Sequence, residues 1–546
     1  MEPHLQRAES HAIATTCRNR EVALGTLIPT LTAPAVHILF LGRPLLPHNS
    51  FLKQRWGRLG VVLGRSWHLA HPWVSPASRL QLWVSRSINV PFHNVENRRG
   101  RRKMATFLKS IRIFRMLRLR CVSLSVLLLL LGFRATAAGQ SLAAPPHPIV
   151  LHAAGMLDIK NGRIVKPGEV LVQGERIVEA GTSVKRPAGA EVIDLGDRTL
   201  LPGLIDAHVH LFLHPGAEDL QTVQESVPQR TITALLAARD DLMAGFTAER
   251  DMGTEGAGSA DTAVREAIDA GRIPGPRLRI SGNAVNILGG HEDAIGYNPE
   301  QQVLPNADYA NNTDELVAVM RRQFKEGADF IKIYETGWDS VRDGKFHTVY
   351  QYTEAELEAA VHEAARQGRK VAVHATGEPG TLYAAQAGVA SIDHAYQLSD
   401  ETMRLMREKQ IFAVPTFAIS EYFADHAPAP ELAAREHLML DLHAQEFRKQ
   451  VAAGVPMAVG SDVGPFPHGT QAREFVLMVK YGMSPLAALQ ADLVNGAKLL
   501  GWDGQIGALE AGHLADVIAV AGDPLQDIGT LQNVSFVMKG GVVYKK

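Results

Sequence analysis

Apolar and polar residues alternate along 149–153, 169–173, 176–180 and 191–195, with turn signals at Asn161-Gly162 and Gly174-Glu175 between the runs. A period of two is that of a strand with one buried face. The alternation returns at 517–520, 534–538 and 542–545, with a turn at Gly540-Gly541. β-Rich ends around a long middle predict one small β-sandwich, assembled from 149–201 and 503–546.

The middle, 202–502, has a different rhythm. Short apolar runs at 204–211, 246–252, 278–285, 330–335, 371–375, 391–395, 412–417 and 457–462 alternate with amphipathic stretches of helical period. One such stretch, 353–367, opens with Thr353 and Glu356, the spacing of a capping box. Eight strand–helix units over about 300 residues is the count of a (β/α)8 TIM barrel. A doubly wound open sheet is the competing α/β architecture, but the chain has no Gly-rich phosphate loop to go with it.

Charge changes the picture of the N-terminus. The whole chain carries 56 Lys+Arg and 57 Asp+Glu, a formal net charge of −1. Residues 1–138 nevertheless hold 21 basic against 4 acidic side chains, and no Asp occurs before Asp158. Within that stretch, Arg115, Arg118 and Arg120 precede an apolar run at 122–133, and small residues follow at Ala135, Ala137 and Ala138. This is the pattern of a secretory signal peptide cleaved near Ala137/Ala138. The run is short of the roughly 20 residues of a spanning helix, so a stable membrane anchor is not expected. Residues 104–138 are therefore assigned to the signal region, and 1–103 to an extension outside the working protein. The mature product is expected to be secreted or periplasmic. Scattered basic residues in 1–103 argue against a nucleic-acid partner. Both cysteines, Cys17 and Cys121, precede the cleavage point, so any metal ligand must be His, Asp, Glu or a modified Lys.

In a barrel, functional groups gather at the C-terminal ends of the strands. The first strand ends in His208 and His210, whose i, i+2 spacing puts both imidazoles on one face, about 7 Å apart along the chain. The fourth carries Lys332, the fifth ends with His374, the sixth with His394 and the eighth with Asp462. Singly, each has a plain structural explanation; together, four His, one Asp and one Lys are the donor types of a divalent metal site. Lys332 lies between Ile331 and Ile333. Burial depresses an ammonium pKa and leaves a nucleophilic amine. Such an amine can take up carbon dioxide to become a carboxylate, or form a Schiff base. The second role needs no histidines.

These residues resemble a known family. The His208/His210 pair, the segment Gly327-Ala328-Asp329-Phe330-Ile331-Lys332-Ile333, the two later histidines and Gly460-Ser461-Asp462 are similar to the amidohydrolase superfamily. The likeness is to its binuclear, carboxylated-lysine branch of Xaa-Pro and Xaa-Arg dipeptidases, which includes ochratoxin-hydrolysing amidases. It covers about 149–546. Arg250-Asp251 and Gly289-Gly290-His291 also look like this group. The resemblance implies two divalent ions, with zinc the default. One is held by His208, His210, Asp462 and N6-carboxylated Lys332, the other by His374, His394 and the same carbamate. It implies attack by a hydroxide shared between the ions, with Asp462 as proton carrier and His291 near the substrate. The substrate class would be a small-molecule amide, either a dipeptide or an N-acyl amino acid, including an N-aroyl-phenylalanine such as ochratoxin. Tyr383, Tyr396, His468 and Arg473 lie in loops from which a substrate carboxylate can be held. The alternatives are a cyclic-amide hydrolase of the imidazolonepropionase type or a lactonase. Lys332 argues against the imidazolonepropionase type, whose members usually hold one metal and lack the bridging lysine. A binding protein without activity is a further alternative, against which the full ligand set argues. Homo-oligomerisation stays open, because no seam is visible in the chain.

Overall fold

A computed structural model of the chain describes residues 147–546, Pro299 excepted. The extension 1–103, the signal region 104–138 and both cysteines lie outside the described residues. Among the described residues no helix is long and apolar enough to cross a membrane.

The two ends of this part build two facing β-sheets. One has four strands, in the order Arg176–Gly181, Gly168–Gln173, Ile149–Ala153, Glu191–Asp194. The other has six, in the order Val542–Lys545, Phe536–Lys539, Val517–Ala521, Arg198–Pro202, Gly155–Asp158, Arg163–Val165. Leu151, Val170 and Ile177 from the first sheet pack with Leu200, Phe536 and Met538 from the second, all buried. The sandwich is thus shared between the termini as the alternation predicts. Three strands, at 155–158, 163–165 and 198–202, had no expectation of their own. The sandwich is tied to the middle of the chain by Arg277, whose guanidinium donates to both oxygens of Asp516 at 2.8 and 3.0 Å.

The middle holds parallel strands separated by helices. Most expected strands are present with trimmed ends: Leu204–Val209, Phe246–Asp251, Ile331–Tyr334, Val371–Ala375, Ser391–His394 and Phe412–Val414. All their residues are buried, as in a sheet covered on both faces. The Glu354–Arg366 helix begins at Thr353, which forms the capping box with Glu356 in both directions.

The eight strands do not form one continuous ladder. With the third split in two and a short strand at Asp308–Tyr309 added, the first seven fall into a three-stranded sheet (Arg277–Ile280, Phe246–Asp251, Leu204–Val209) and a six-stranded one running from Asp308–Tyr309 and Val285–Asn286 through Ile331–Tyr334 to Phe412–Val414. The expected third strand is broken because Gly282 takes φ +73° and its N–H is captured by Asp261. The expected eighth strand, 457–462, makes only isolated bridges, Ala413 to Met457 and Val209 to Val463. Its Asp462 has φ 62°, a left-handed conformation that no regular strand accommodates. Backbone hydrogen bonds still run from this segment to both neighbours. Ala458 donates to the carbonyl of Ala413 at 3.0 Å, and Ala207 donates to that of Val459 at 2.9 Å. On the other side, Asp329 N donates to the carbonyl of Ile280 at 2.7 Å.

A buried carboxylate fastens the 457–462 segment to the first strand. Asp206 accepts from the backbone N–H groups of His208 and Ser461, each at 3.0 Å, and from Ser461 Oγ at 2.6 Å. Removing it leaves three buried donors unpaired, each costing about 1–3 kcal/mol. Asp206→Ala is therefore expected to lower the unfolding free energy in urea by about 3–9 kcal/mol. Ser461→Ala, which strips one donor, should cost less than half of that. Equal losses in the two variants would dismiss the clamp.

Candidate metal centre

The C-terminal ends of the strands bring the expected groups together. His208 closes on His210 with Nε2 atoms 3.3 Å apart. Asp462 Oδ1 lies 3.4 Å from His208 Nε2 and 3.3 Å from His210 Nε2. Donor atoms on a tetrahedral ion bound at ~2.1 Å sit roughly 3.4 Å from one another. The three atoms are thus spaced as vertices of a coordination shell. A second group adjoins the first. The His394 ring is 5.1 Å from that of His208 and 4.3 Å from that of His374, and its Nδ1 is 3.9 Å from Asp462 Oδ2. His208, His394 and Asp462 can offer ligand atoms within 4.8 Å of one another. Lys332 reaches into the same cavity, fully buried. Its Nζ and the Nε2 of His374 have no hydrogen-bond partner. Buried polar atoms are rarely left so, and these two atoms suit a site built to hold a ligand. The donor set of imidazoles, a carboxylate and an amine fits divalent metal of the zinc type.

Groups behind the ligands orient them. Asp393 Oδ1 faces His208 Nδ1 at 3.5 Å and is held at 2.9 Å by Arg250 Nη2. Arg250 also donates to the Ala207 carbonyl at 2.6 Å and to Ser391 Oγ at 3.0 Å. Glu255 Oε1 lies 2.9 Å from His210 Nδ1, and Thr416 Oγ1 lies 2.8 Å from His394 Nδ1. Partners on the far ring nitrogen are the usual means of fixing a ligating imidazole.

The electrostatics suit ligands. Burial, aided by the Lys332 charge, lowers His208 to about 4, so it stands as a neutral donor. Burial presses the Lys332 amine down as well, against the pull of Asp393 and Asp462. Asp462 is held well below the carboxylate range: burial would raise it, but His208, His210 and His394 outweigh that. His210 goes the other way. Burial would lower it, yet Asp462 and Glu255 raise it well above the usual imidazole value. A proton on His210 answers the same demand for positive charge between these carboxylates that a cation would meet.

The ligands form the floor of a cavity of about 570 Å³. His291 lines it, stacked between Trp338 (4.5 Å) and Tyr334 (5.1 Å) and 4.2 Å from the His374 ring. Burial lowers His291 to about 4. Tyr396 also lines the cavity, its hydroxyl 3.2 Å from Ser420 Oγ.

The other three residues considered for substrate contact are not in the lining. Tyr383 packs edge-on against Tyr350 at 5.5 Å. His468 is bound to Asp241 at 2.7 Å, and Arg473 grips both oxygens of Glu421 at 2.7 and 2.9 Å. The Arg473 guanidinium is thus taken up elsewhere, and His468 is anchored through Nδ1 while its buried Nε2 has no hydrogen-bond partner.

Several lining residues went unforeseen: Glu255, Glu292, Trp338, Asp339 and Arg435. Trp338 and Asp339 follow directly on the Lys332 strand, so the rule that led to Lys332 reaches them too. Arg435 comes from the Pro430–Ala453 helix and has no such signal.

Comparison with known proteins gives a consistent answer. Residues 199–544 match the model of the amidohydrolase family. Ochratoxinase of Aspergillus niger is 32% identical over 375 residues, which is 63% of this chain and 75% of that protein. The crystal structure of a Xaa-Pro dipeptidase with methionine bound in its active site is 32% identical, with a TM-score of 0.67, covering 73% of this chain and 100% of that one. The crystal structure of A. niger ochratoxinase has a TM-score of 0.63 at 26% identity, covering 73% of this chain and 96% of that one.

The Arg250–Asp393–His208 contact yields a direct expectation. Asp393→Asn keeps the volume but removes the charge that faces His208 Nδ1. Losing such a partner typically costs 10- to 100-fold in metal affinity. Competition with a graded chelator series should register about that loss. Unchanged metal retention would make Asp393 a purely structural partner of Arg250.

Proposed function

The chain belongs to the amidohydrolase family and is a hydrolase of C–N bonds; from that premise we propose that it is an exported metallohydrolase of dipeptides and N-acyl amino acids. The observation that carries the reading is the buried, unpartnered Lys332 amine beside the clustered donors His208, His394 and Asp462. Uptake of carbon dioxide by the neutral amine forms an N–C bond and releases one proton, giving a carbamate at Lys332. That carbamate supplies the anionic ligand that two neighbouring cations require. His208, His210 and Asp462 would hold one ion and His374 and His394 the other, with the Lys332 carbamate common to both. Bound there, divalent ions of the zinc type supply Lewis acidity and a lowered water pKa.

The remaining work falls to the chain. Asp462, ionised and the most open of the ligands with its side chain 14% exposed, accepts a proton from the attacking water and returns it to the departing amine. His291, neutral and clamped between two aromatic rings, borders the position of the scissile carbonyl. Trp338, Phe423, Leu432 and Met439 make an apolar wall suited to an aromatic acyl group or a large side chain. Arg435 and Lys332 are the Arg and Lys side chains of the lining, and only Arg435 is exposed at the rim. It is the group available to a free carboxylate. The same reading takes the two parallel sheets as parts of one (β/α)8 barrel, linked through the Ile280–Asp329 and 457–463 contacts.

Asp462→Asn should lower kcat by about 100- to 10,000-fold, with little change in KM. Lys332→Ala should lose both metal and activity; retention of either at the parent level would overturn the binuclear reading. A panel of Xaa-Pro and Xaa-Arg dipeptides, N-aroyl-phenylalanines, cyclic amides and lactones tests the substrate class. The first three are expected to turn over, and activity confined to cyclic amides or lactones would replace the reading. Mass spectrometry of the mature N-terminus should find it near Ala138 or Gly139.

A further inference from the structure

The strands have a second open end. Opposite the metal-type cluster, where Ile331–Tyr334, Val371–Ala375 and Ser391–His394 begin, lies a separate cavity of about 290 Å³. Its walls carry Arg250, Arg279, Arg369 and Lys370, with Asp329 as the acidic member.

The charges do not balance. Arg250 is neutralised by Asp393 at 2.9 Å on the far side. Asp329 is shared three ways: Arg265 at 2.7 Å, Arg369 at 3.2 Å and Arg279 at 3.6 Å. Lys370 Nζ touches only the carbonyl of Leu499, at 3.3 Å. Four cations, Arg265, Arg279, Arg369 and Lys370, therefore meet Asp329, with Asp503 as one further acidic neighbour of Lys370. Donors are in surplus too. A guanidinium has five N–H groups and an ammonium three. Arg369 spends one on Asp329, Arg279 donates to the Leu500 carbonyl at 2.9 Å, and Lys370 uses one. The Arg279 guanidinium carbon sits over the Trp502 ring, 4.2 Å from its centroid, which helps to hold the group in place. Burial, with the Arg369 and Arg265 charges, lowers the pKa of Arg279 against the pull of Asp329; burial, with the Arg250, Lys498 and Arg279 charges, lowers that of Lys370 against the pull of Asp503.

We propose that this basal cavity is a binding site for a doubly charged tetrahedral oxyanion, namely phosphate or the phosphate end of a small monoester. A dianion offsets most of the surplus charge, which a single carboxylate cannot. Its oxygens match the forked donors of Arg279 and Arg369 and the point charge of Lys370. The cavity also exceeds a bare phosphate in size and leaves room for a short organic group.

The test uses the full metal-loaded chain and reads binding, so it stands or falls separately from the hydrolase reading. Inorganic phosphate and glycerol phosphate are titrated at fixed ionic strength, with chloride as control, and thermal stability is followed. Saturable stabilisation by phosphate but not chloride is expected, about tenfold weaker or more in Arg369→Gln/Lys370→Gln. A tighter response to glycerol phosphate assigns the site to a monoester, an equal or weaker one to the free ion. Stabilisation that is absent, or unchanged in the double variant, overturns the proposal; the latter result assigns binding to the metal end. Should the double variant fail to fold, acylation of Lys370 in the parent protein, mapped by peptide mass spectrometry, gives the same decision. Phosphate is expected to slow it severalfold, and lack of protection counts against the site.

Discussion

An amine buried without a partner is the constraint on which the rest depends. Lys332 sits in a strand whose four residues are all buried, among His208, His291, His374, His394 and Arg250. An isolated buried ammonium costs several kcal/mol even after relaxation. Only Asp393 and Asp462 lie near enough to offset it strongly, and both are engaged: Asp393 with Arg250, Asp462 with the imidazoles. A neutral amine relieves that cost, and burial presses the Lys332 pKa in that direction. The histidines around it follow the same logic. Burial keeps His208, His374 and His394 neutral, as lone-pair donors must be.

Holding these donors in place strains the backbone. His394, Ala395, Thr416 and Asp462 all have positive φ, at 71°, 48°, 52° and 62°. Such non-glycine positions cost about 1–3 kcal/mol each and persist only when their surroundings over-determine them. Those surroundings are visible. Asp206 fixes Ser461 next to Asp462, and Gly460 lies so close to His208 that an added Cβ would come within 2.8 Å of the His208 Cβ. Glu474 accepts from the N–H groups of Phe417 and Ala418, just beyond Thr416. The broken eighth strand is therefore part of the site's construction. A regular strand would have pointed Asp462 along the ladder; the left-handed turn brings its carboxylate to the imidazoles.

How much of this the sequence disclosed follows from the range of each interaction. His208, His210, Lys332, His374, His394 and Asp462 were legible because strand ends recur with a rhythm that single residues interrupt. The capping box at Thr353 was legible because it is local. Tyr383, His468 and Arg473 were misjudged for the opposite reason. His468 is taken by Asp241, 227 residues away, and Arg473 by Glu421, 52 residues away; no spacing rule announces either pairing. Glu255 escaped likewise: its approach to His210 depends on a left-handed φ of 48° at an acidic residue, which composition does not reveal. The count of eight strand–helix units did not disclose the breaks in the ladder, because an apolar run reports burial, and buried extended chain need not be paired along its whole length.

Arg250 links the two ends of the strands. Its guanidinium spans the Ala207 carbonyl, Ser391 and Asp393, and thereby pins three parallel segments at one level. Above it Asp393 faces His208; below it the cavity wall carries unbalanced positive charge. A charged layer at this depth separates chemistry from scaffold. The strand ends above fix which atoms meet, and they leave little freedom, because His208, His210 and His394 are each held through Nδ1 by a neighbour. The loops and the Pro430–Ala453 helix around the cavity mouth carry Trp338, Asp339, Leu432, Arg435 and Met439 on elements that no ligand depends on. Substrate choice can therefore change through those walls while the metal-type cluster stays as it is. That division explains why the donor set was readable from the strands, whereas Arg435 and the other wall residues of the Pro430–Ala453 helix were not.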